Sequence, residues 1–235
     1  MNLDTLDTFA LVALLIMAVA LPLLGIWDFR RLTRWVEEGR SDARIKTYNW
    51  ILAMEWGLTL GLLAWWLGAG RTLESLGLIP MAAGWQWLPI GLGLAGVLFM
   101  IYQMKTVLGS PEQLADVRDK MGELGHLAPQ TPGEDRLFVL VAITAGVCEE
   151  ILYRGFLLTA LAPVTGIWAA VALTSAIFGL AHAYQGWVGI GKTALVGLVM
   201  ALLTVFSGSL FIAILLHAII DLTSGRMMGR AVTVE

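Results

Sequence analysis

Residues 148–154 read Cys148-Glu149-Glu150-Ile151-Leu152-Tyr153-Arg154, and they lie inside an apolar run from about Arg136 to Leu161. A charge at the centre of a bilayer costs at least about 2.5–3.5 kcal/mol, so such residues persist only when they pair, bind something or line a wet cavity. Two later apolar runs carry ionisable residues as well: His182 in one, His217 with Asp221 in the other. Six polar groups on three hydrophobic helices describe a site built inside a membrane protein.

Composition agrees. Of 235 residues, 58% are hydrophobic and only 14% charged, and the net charge is −3. The mean hydropathy of +0.78 is far from that of a soluble domain. The basic residues are clustered along the chain, which speaks to topology and sets nucleic-acid binding aside. The single cysteine, Cys148, excludes an intrachain disulfide and reads as a small buried residue, because two neighbouring carboxylates disfavour a thiolate. The opening residues, MNLDTLDTF, have acidic residues where a cleavable signal would carry Lys or Arg, so the first apolar run is expected to be retained.

Crossing about 30 Å of hydrocarbon takes about 20 helical residues. Runs of that kind are expected at about Thr8–Trp27, Asn49–Gly70, Trp85–Met104, Arg136–Leu161, Gly166–Tyr184, Gly189–Phe206 and, shorter, Leu210–Ser224. The fold class is therefore all-α, a polytopic bundle of about seven transmembrane helices forming one integral membrane domain over residues 1–235. Lys and Arg concentrate in 28–48, 105–136 and the C-terminal tail, while the intervening loops hold almost none. The positive-inside rule then places the N-terminus outside and the C-terminus in the cytoplasm.

Trp27, Trp35, Trp50, Trp65, Trp66, Trp85, Trp87 and Trp187 fall near span ends and read as interfacial anchors. In the polar connector, Ser110-Pro111-Glu112 is a helix start, and Leu114, Val117, Met121 and Leu124 make an apolar stripe, so a short amphipathic interfacial helix is expected. Residues 28–48 form a basic juxtamembrane segment that suits anionic lipid. Gly91, Gly93 and Gly96 should permit close helix packing. Glu55 in the second span could join the cavity but reads rather as interfacial or backbone-satisfied, Lys192 as snorkelling, and His126 as solvated surface.

Within the fourth run Glu150 and Arg154 are i and i+4 and share a face, which predicts a structural ion pair. Glu149 lies about 100° around the helix and is left free to act as a general base towards water. His182 follows Phe178 by four residues on the next run. His217 and Asp221 are again i and i+4, so the carboxylate is expected to orient the imidazole. Glu149, His182, His217 and Asp221 are donor types that suit zinc with an open water position. They equally suit a metal-free device in which Glu149 and His182 polarise water while His217 and Asp221 stabilise an oxyanion.

The ordered motifs EExxxR (Glu149-Glu150 to Arg154), FxxxH (Phe178 to His182) and HxxxD (His217 to Asp221) resemble the CPBP family of intramembrane proteases. That family includes CAAX prenyl endopeptidases and bacteriocin-processing or self-immunity proteins. The resemblance spans about residues 137–223 and marks these as the catalytic core. It implies an intramembrane endopeptidase in which Glu149 activates water with His182, His217 and Asp221 support the oxyanion or a metal, and Arg154 holds the motif helix through Glu150. Phe178 is implied as a supporting residue. Asp221 occupies a position that is often Asn in relatives. The implied partners are a membrane-anchored or hydrophobic peptide substrate and the bilayer, and the expected location is a prokaryotic inner membrane.

Two other classes compete. A catalytically silent binding, immunity or scaffold protein of the same fold would tolerate Glu149→Gln. A transporter or proton relay would show inverted repeats, and the sequence has no such symmetry. The charge count also creates a conflict: it puts Glu149 about 20 Å of helix beyond Arg136, deep for a cavity that opens to the cytosol.

Overall fold

The computed structural model describes residues 8–79 and 87–233, so the opening heptapeptide and Trp85 lie outside the described residues. Among them the chain is helical, without a strand. Helix α1 (Thr8–Glu37) is one long rod with a π-helical turn at Ile16–Ala20. It is followed by α2 (Ala43–Gly68), α3 (Trp87–Leu108) and the short α4 (Pro111–Met121). Helix α5 (residues 132–165) joins α-helical Pro132–Glu149, π-helical Glu150–Leu157 and α-helical Leu158–Thr165. Then come α6 (Ile167–Ala181), α7 (Gly186–Ser207) and α8 (Phe211–Thr233).

Helices α1, α2, α3, α7 with its preceding turn, and α8 are long and apolar enough to cross a membrane. Helix α6 is equally apolar but has only 15 residues. The seven runs of the sequence thus correspond to seven described helices, arranged as a helical membrane bundle.

Several boundaries shift, each for a visible reason. Helix α5 starts at Pro132, earlier than Arg136, because Thr131 and Glu134 form a capping box: Thr131 Oγ1 accepts from the Glu134 amide at 3.2 Å and Glu134 Oε2 accepts from the Thr131 amide at 3.0 Å. Glu134 also faces Arg44 at 3.7 Å, and Tyr48 donates to the Leu127 carbonyl at 2.6 Å, so the connector is tied to the start of α2. Helix α8 runs on past Ser224 because Gly225 and Gly229 open a groove on its face, into which Phe138 and Pro129 pack. Helix α4 begins as expected, with Ser110 accepting from the Gln113 amide, and its Leu114 packs with Val107 and Ala231.

The basic segment continues α1 to Glu37, turns through Gly39 and restarts at Ala43. At that turn a hydrogen bond from Lys46 holds the Asp42 carboxyl below the usual carboxylate range. His126 departs from the surface reading. It is half-buried, its ring nitrogen lies 3.4 Å from Thr33 Oγ1, and its carbonyl accepts from Arg44, because the connector folds back onto α1 and α2.

The indoles divide. Trp27, Trp87 and Trp187 are exposed as anchors should be, but Trp66 is buried and donates to the Thr72 carbonyl at 2.9 Å. Trp65 stacks on Phe9, and both Trp65 and Trp66 meet Phe156 edge-on, an aromatic knot joining α1, α2 and α5.

Small residues set the helix spacing that the site needs. A Cβ on Gly146 of α5 would stand 2.9 Å from the Ala218 backbone nitrogen, and one on Gly179 of α6 would stand 2.7 Å from the Ile190 carbonyl. Gly93 packs against Ile212 and Gly96 against Leu216, whereas Gly91 meets nothing and faces outward, against expectation. Gly146→Ala is therefore expected to push α5 from α8 and cost about 1–3 kcal/mol. Gly91→Ala should be neutral or stabilising by about 0.5–1 kcal/mol, since it only removes glycine's entropy from a helix. Thermal unfolding of the two variants in detergent gives opposite signs if the packing is as described.

Candidate active site

The π-helical stretch of α5 begins at Glu150, one residue beyond Glu149, and all eight of its residues are buried. Its last turn closes with an i→i+5 bond from the Leu158 amide to the Tyr153 carbonyl. Such segments inside α-helices occur mostly at functional sites, because the extra residue re-aims side chains. Here it seats a fully buried ion pair: Arg154 Nη1 donates to Glu150 Oε1 at 2.8 Å, and Arg154 Nη2 donates to the Gly197 carbonyl at 3.1 Å. The guanidinium also lies 4.2 Å from the Phe178 ring centroid. Gly197 leaves the room for this, since a Cβ there would come within 3.0 Å of both Arg154 and Phe178.

The same oxygen of Glu150 accepts a second bond, from His217 Nδ1 at 2.7 Å. This corrects the expected pairing of His217 with Asp221. Asp221 lies 3.7 Å from His217 Nε2, too far for a direct bond, so Glu150 orients the imidazole. Glu150 is thereby the joint of a network from α5 to α7 and α8. Buried polar groups arranged this way are rigid because losing any one partner strands the others.

Beyond that frame, His217 Nε2 faces Glu149 Oε2 at 3.8 Å and Asp221 at 3.7 Å. Side-chain exposure rises from 0% at Glu150 through 6% at His217 and 18% at Glu149 to 35% at Asp221. Glu149 Oε2 has no hydrogen-bond partner among the described residues. The network is thus buried at Glu150 and Arg154 and more exposed where Glu149 and Asp221 stand.

His182 is the residue at which α6 ends, with φ −97° and ψ 23°. Its Nδ1 lies 3.0 Å from the Phe178 carbonyl, which can only accept, so Nδ1 carries the proton and Nε2 keeps its lone pair. Phe178 lies between the two histidines, its ring centroid 4.9 Å from that of His182 and 5.8 Å from that of His217.

Glu149 and His182 line one cavity of about 150 Å³. Its walls come from α1 (Leu24, Asp28, Phe29), α2 (Thr47, Trp50, Met54, Glu55) and α5 (Leu152, Tyr153), with Leu127 and Tyr184 beside the connector and the end of α6. It therefore runs from the basic segment and the connector into the bundle. That geometry removes the depth conflict, since the cavity descends to Glu149 from the basic side. His217 and Asp221 do not line it, and they approach Glu149 from behind.

Glu55 is not interfacial. It is 7% exposed, lines the cavity, and lies within electrostatic reach of Glu149, Asp221 and His217. Trp50 is exposed as an anchor should be and also forms a wall of the cavity. Tyr184 and Gly197 join the site without a motif to mark them. Gly197 follows Arg154 by 43 positions, and only the fold brings its carbonyl to the guanidinium.

Among the described residues no group of three or more His, Cys, Asp or Glu side chains is gathered to hold a metal ion. The nitrogen of His217 that faces Glu149 and Asp221 stands 3.8 and 3.7 Å from them, and His182 belongs to a different wall. Of the four zinc candidates, Glu149, His217 and Asp221 face one another, while His182 stands on the cavity wall.

Residues 136–223 match a family model described as Rce1-like, type II CAAX prenyl endopeptidase. No curated protein and no solved structure matches the chain.

Proposed function

We propose, from the match of residues 136–223 to the type II CAAX prenyl endopeptidase family, that the chain is an intramembrane endopeptidase in which Glu149 and His182 activate water against a peptide bond of a membrane-associated or hydrophobic substrate. The observation that supports this most is that Glu149 and His182, from separate helices, line one cavity while an immobile Glu150–Arg154–His217 frame stands behind Glu149.

The chemistry follows from the partners of each atom. Water in the cavity gives a proton to Glu149 and its oxygen attacks the scissile carbonyl carbon, while His182 Nε2, free as an acceptor, orients the second hydrogen. Negative charge then gathers on the carbonyl oxygen. His217, held through Nδ1 by Glu150, turns Nε2 to Glu149 and Asp221 behind the cavity wall and so acts as a positioning residue for Glu149. Collapse breaks the C–N bond as Glu149 returns its proton to the leaving amine. No step is routed through a metal ion, and elemental analysis with activity before and after chelation checks this.

By the positive-inside rule the cavity opens to the cytoplasmic side, with the N-terminus outside. A peptide entering there meets a lining that includes Leu24, Phe29, Trp50 and Glu149.

The test is cleavage by the purified, lipid-reconstituted chain of a quenched fluorogenic farnesylated CAAX peptide and of an unprenylated hydrophobic peptide. Cleavage of either supports the reading. His182→Ala should lower kcat by about 10²–10⁴-fold with little loss of thermal stability, because the ring is only half-buried and bonds only to a local carbonyl. Unchanged kcat would remove His182 from the mechanism.

A further inference from the structure

Resting on the proteolytic reading of this cavity, we propose that Glu55 is a subsite for a cationic group of the substrate, a lysine or arginine side chain or a free amino group. Glu55 lies midway along α2, outside the residues that match the family, and the mechanism above does not use it. Its side chain is more than nine-tenths buried, it lines the cavity, and Oε2 is buried with no hydrogen-bond partner among the described residues. A carboxylate left this way in a low-dielectric wall is retained only where something completes it.

The rest of the cavity says what completes it. No lysine or arginine lines it, whereas Asp28, Glu55 and Glu149 do. Asp28 is already paired with Arg31, and that guanidinium lies over Trp27, Trp35 and Trp50. Glu149 is engaged as the base. Glu55 is thus the carboxylate still open to a ligand. The lining also includes the aromatic side chains of Phe29, Trp50, Tyr153 and Tyr184, a residue type that attracts cations through its ring quadrupole.

Carboxylates and aromatic side chains together select a positive charge on an apolar chain. A substrate's terminal carboxylate would instead meet three acidic side chains, with His182 as the only basic group in the lining. The substrate class is therefore an apolar peptide carrying a basic residue near the scissile bond.

The test uses binding, so it does not depend on turnover. Full-length Glu149→Gln protein in phosphatidylcholine nanodiscs is titrated with fluorescent apolar peptides carrying one lysine, norleucine or glutamate at successive positions. At one position the lysine member should bind about tenfold tighter than the norleucine member, the equivalent of one charge-assisted contact, and the glutamate member more weakly than either. Adding Glu55→Gln should bring lysine and norleucine within about twofold of each other, while Glu55→Asp keeps the preference because it keeps the charge. Equal binding of the three members, binding of none, or a lysine preference that survives Glu55→Gln overturns the subsite. Should Glu55→Gln not fold, the lysine-over-glutamate preference of the Glu149→Gln protein decides alone. Absence of cleavage by the wild type would strike the hydrolytic reading and leave this result standing.

Discussion

Glu149→Gln is expected to reduce peptide cleavage by about 10²–10⁴-fold, the full contribution of a general base, while the protein folds and melts as the wild type does. The amide has nearly the same shape as the carboxylate. Glu149 supports nothing that would collapse: its Oε2 has no hydrogen-bond partner among the described residues, and its side chain is 18% exposed towards the cavity. The loss should fall on kcat with KM little changed, since the carboxylate acts on water and not on the bound peptide. Initial rates in detergent with a matched unfolding curve make the comparison. Retained cleavage would remove Glu149 from the mechanism, and no cleavage by the wild type would move the chain to the silent binding-protein class.

The opposite pattern is expected at Arg154. Arg154→Met keeps much of the volume but strips Glu150 of its guanidinium and leaves the Gly197 carbonyl without its donor, so stability should fall by about 3–5 kcal/mol, as when one member of a buried ion pair is removed. Activity falls with it, because Glu150 also holds His217. The double variant Glu150→Leu with Arg154→Met should recover part of the stability, as apolar replacement of buried pairs often does, yet recover no activity, since His217 then has nothing on Nδ1. Denaturant unfolding followed by intrinsic fluorescence reads the first effect, and peptide cleavage reads the second. A single variant as stable as the wild type would mean the frame is not what holds these helices together.

What was legible in the sequence follows the range of each signal. Seven apolar runs gave seven helices, because hydrophobic length is a local property. The Glu150–Arg154 pair was legible because four residues on one helix define a contact. The i,i+4 rule then misled at His217 and Asp221. Spacing makes them neighbours but cannot weigh a competitor arriving from another helix, and Glu150 arrives closer. Glu55 was read as interfacial or backbone-satisfied, and Trp50 as an anchor alone, for the same reason. Their places in the cavity depend on how α2 turns against α5, which the tight packing of other residues decides. The depth conflict at Glu149 came from counting residues along the fourth helix, which measures distance from its start but not how far a cavity reaches down beside it. The Thr131–Glu134 capping box is in the sequence and could have been found; the cavity between α1, α2 and the connector could not.

The division between frame and opening also explains why two adjacent glutamates tolerate such different surroundings. Glu150 is completed by Arg154 and His217 and turns inward, whereas Glu149 looks into the cavity. In the proposed mechanism one is fixed so that the other can take up and release a proton.

The most direct measurement is mass spectrometry of a hydrophobic peptide, prenylated or not, incubated with the reconstituted protein in water enriched in oxygen-18. Wild type should yield a fragment whose new carboxylate carries a single heavy oxygen, and Glu149→Gln should yield none above background. No fragment from the wild type, or an equal yield from both, would contradict hydrolysis at this site.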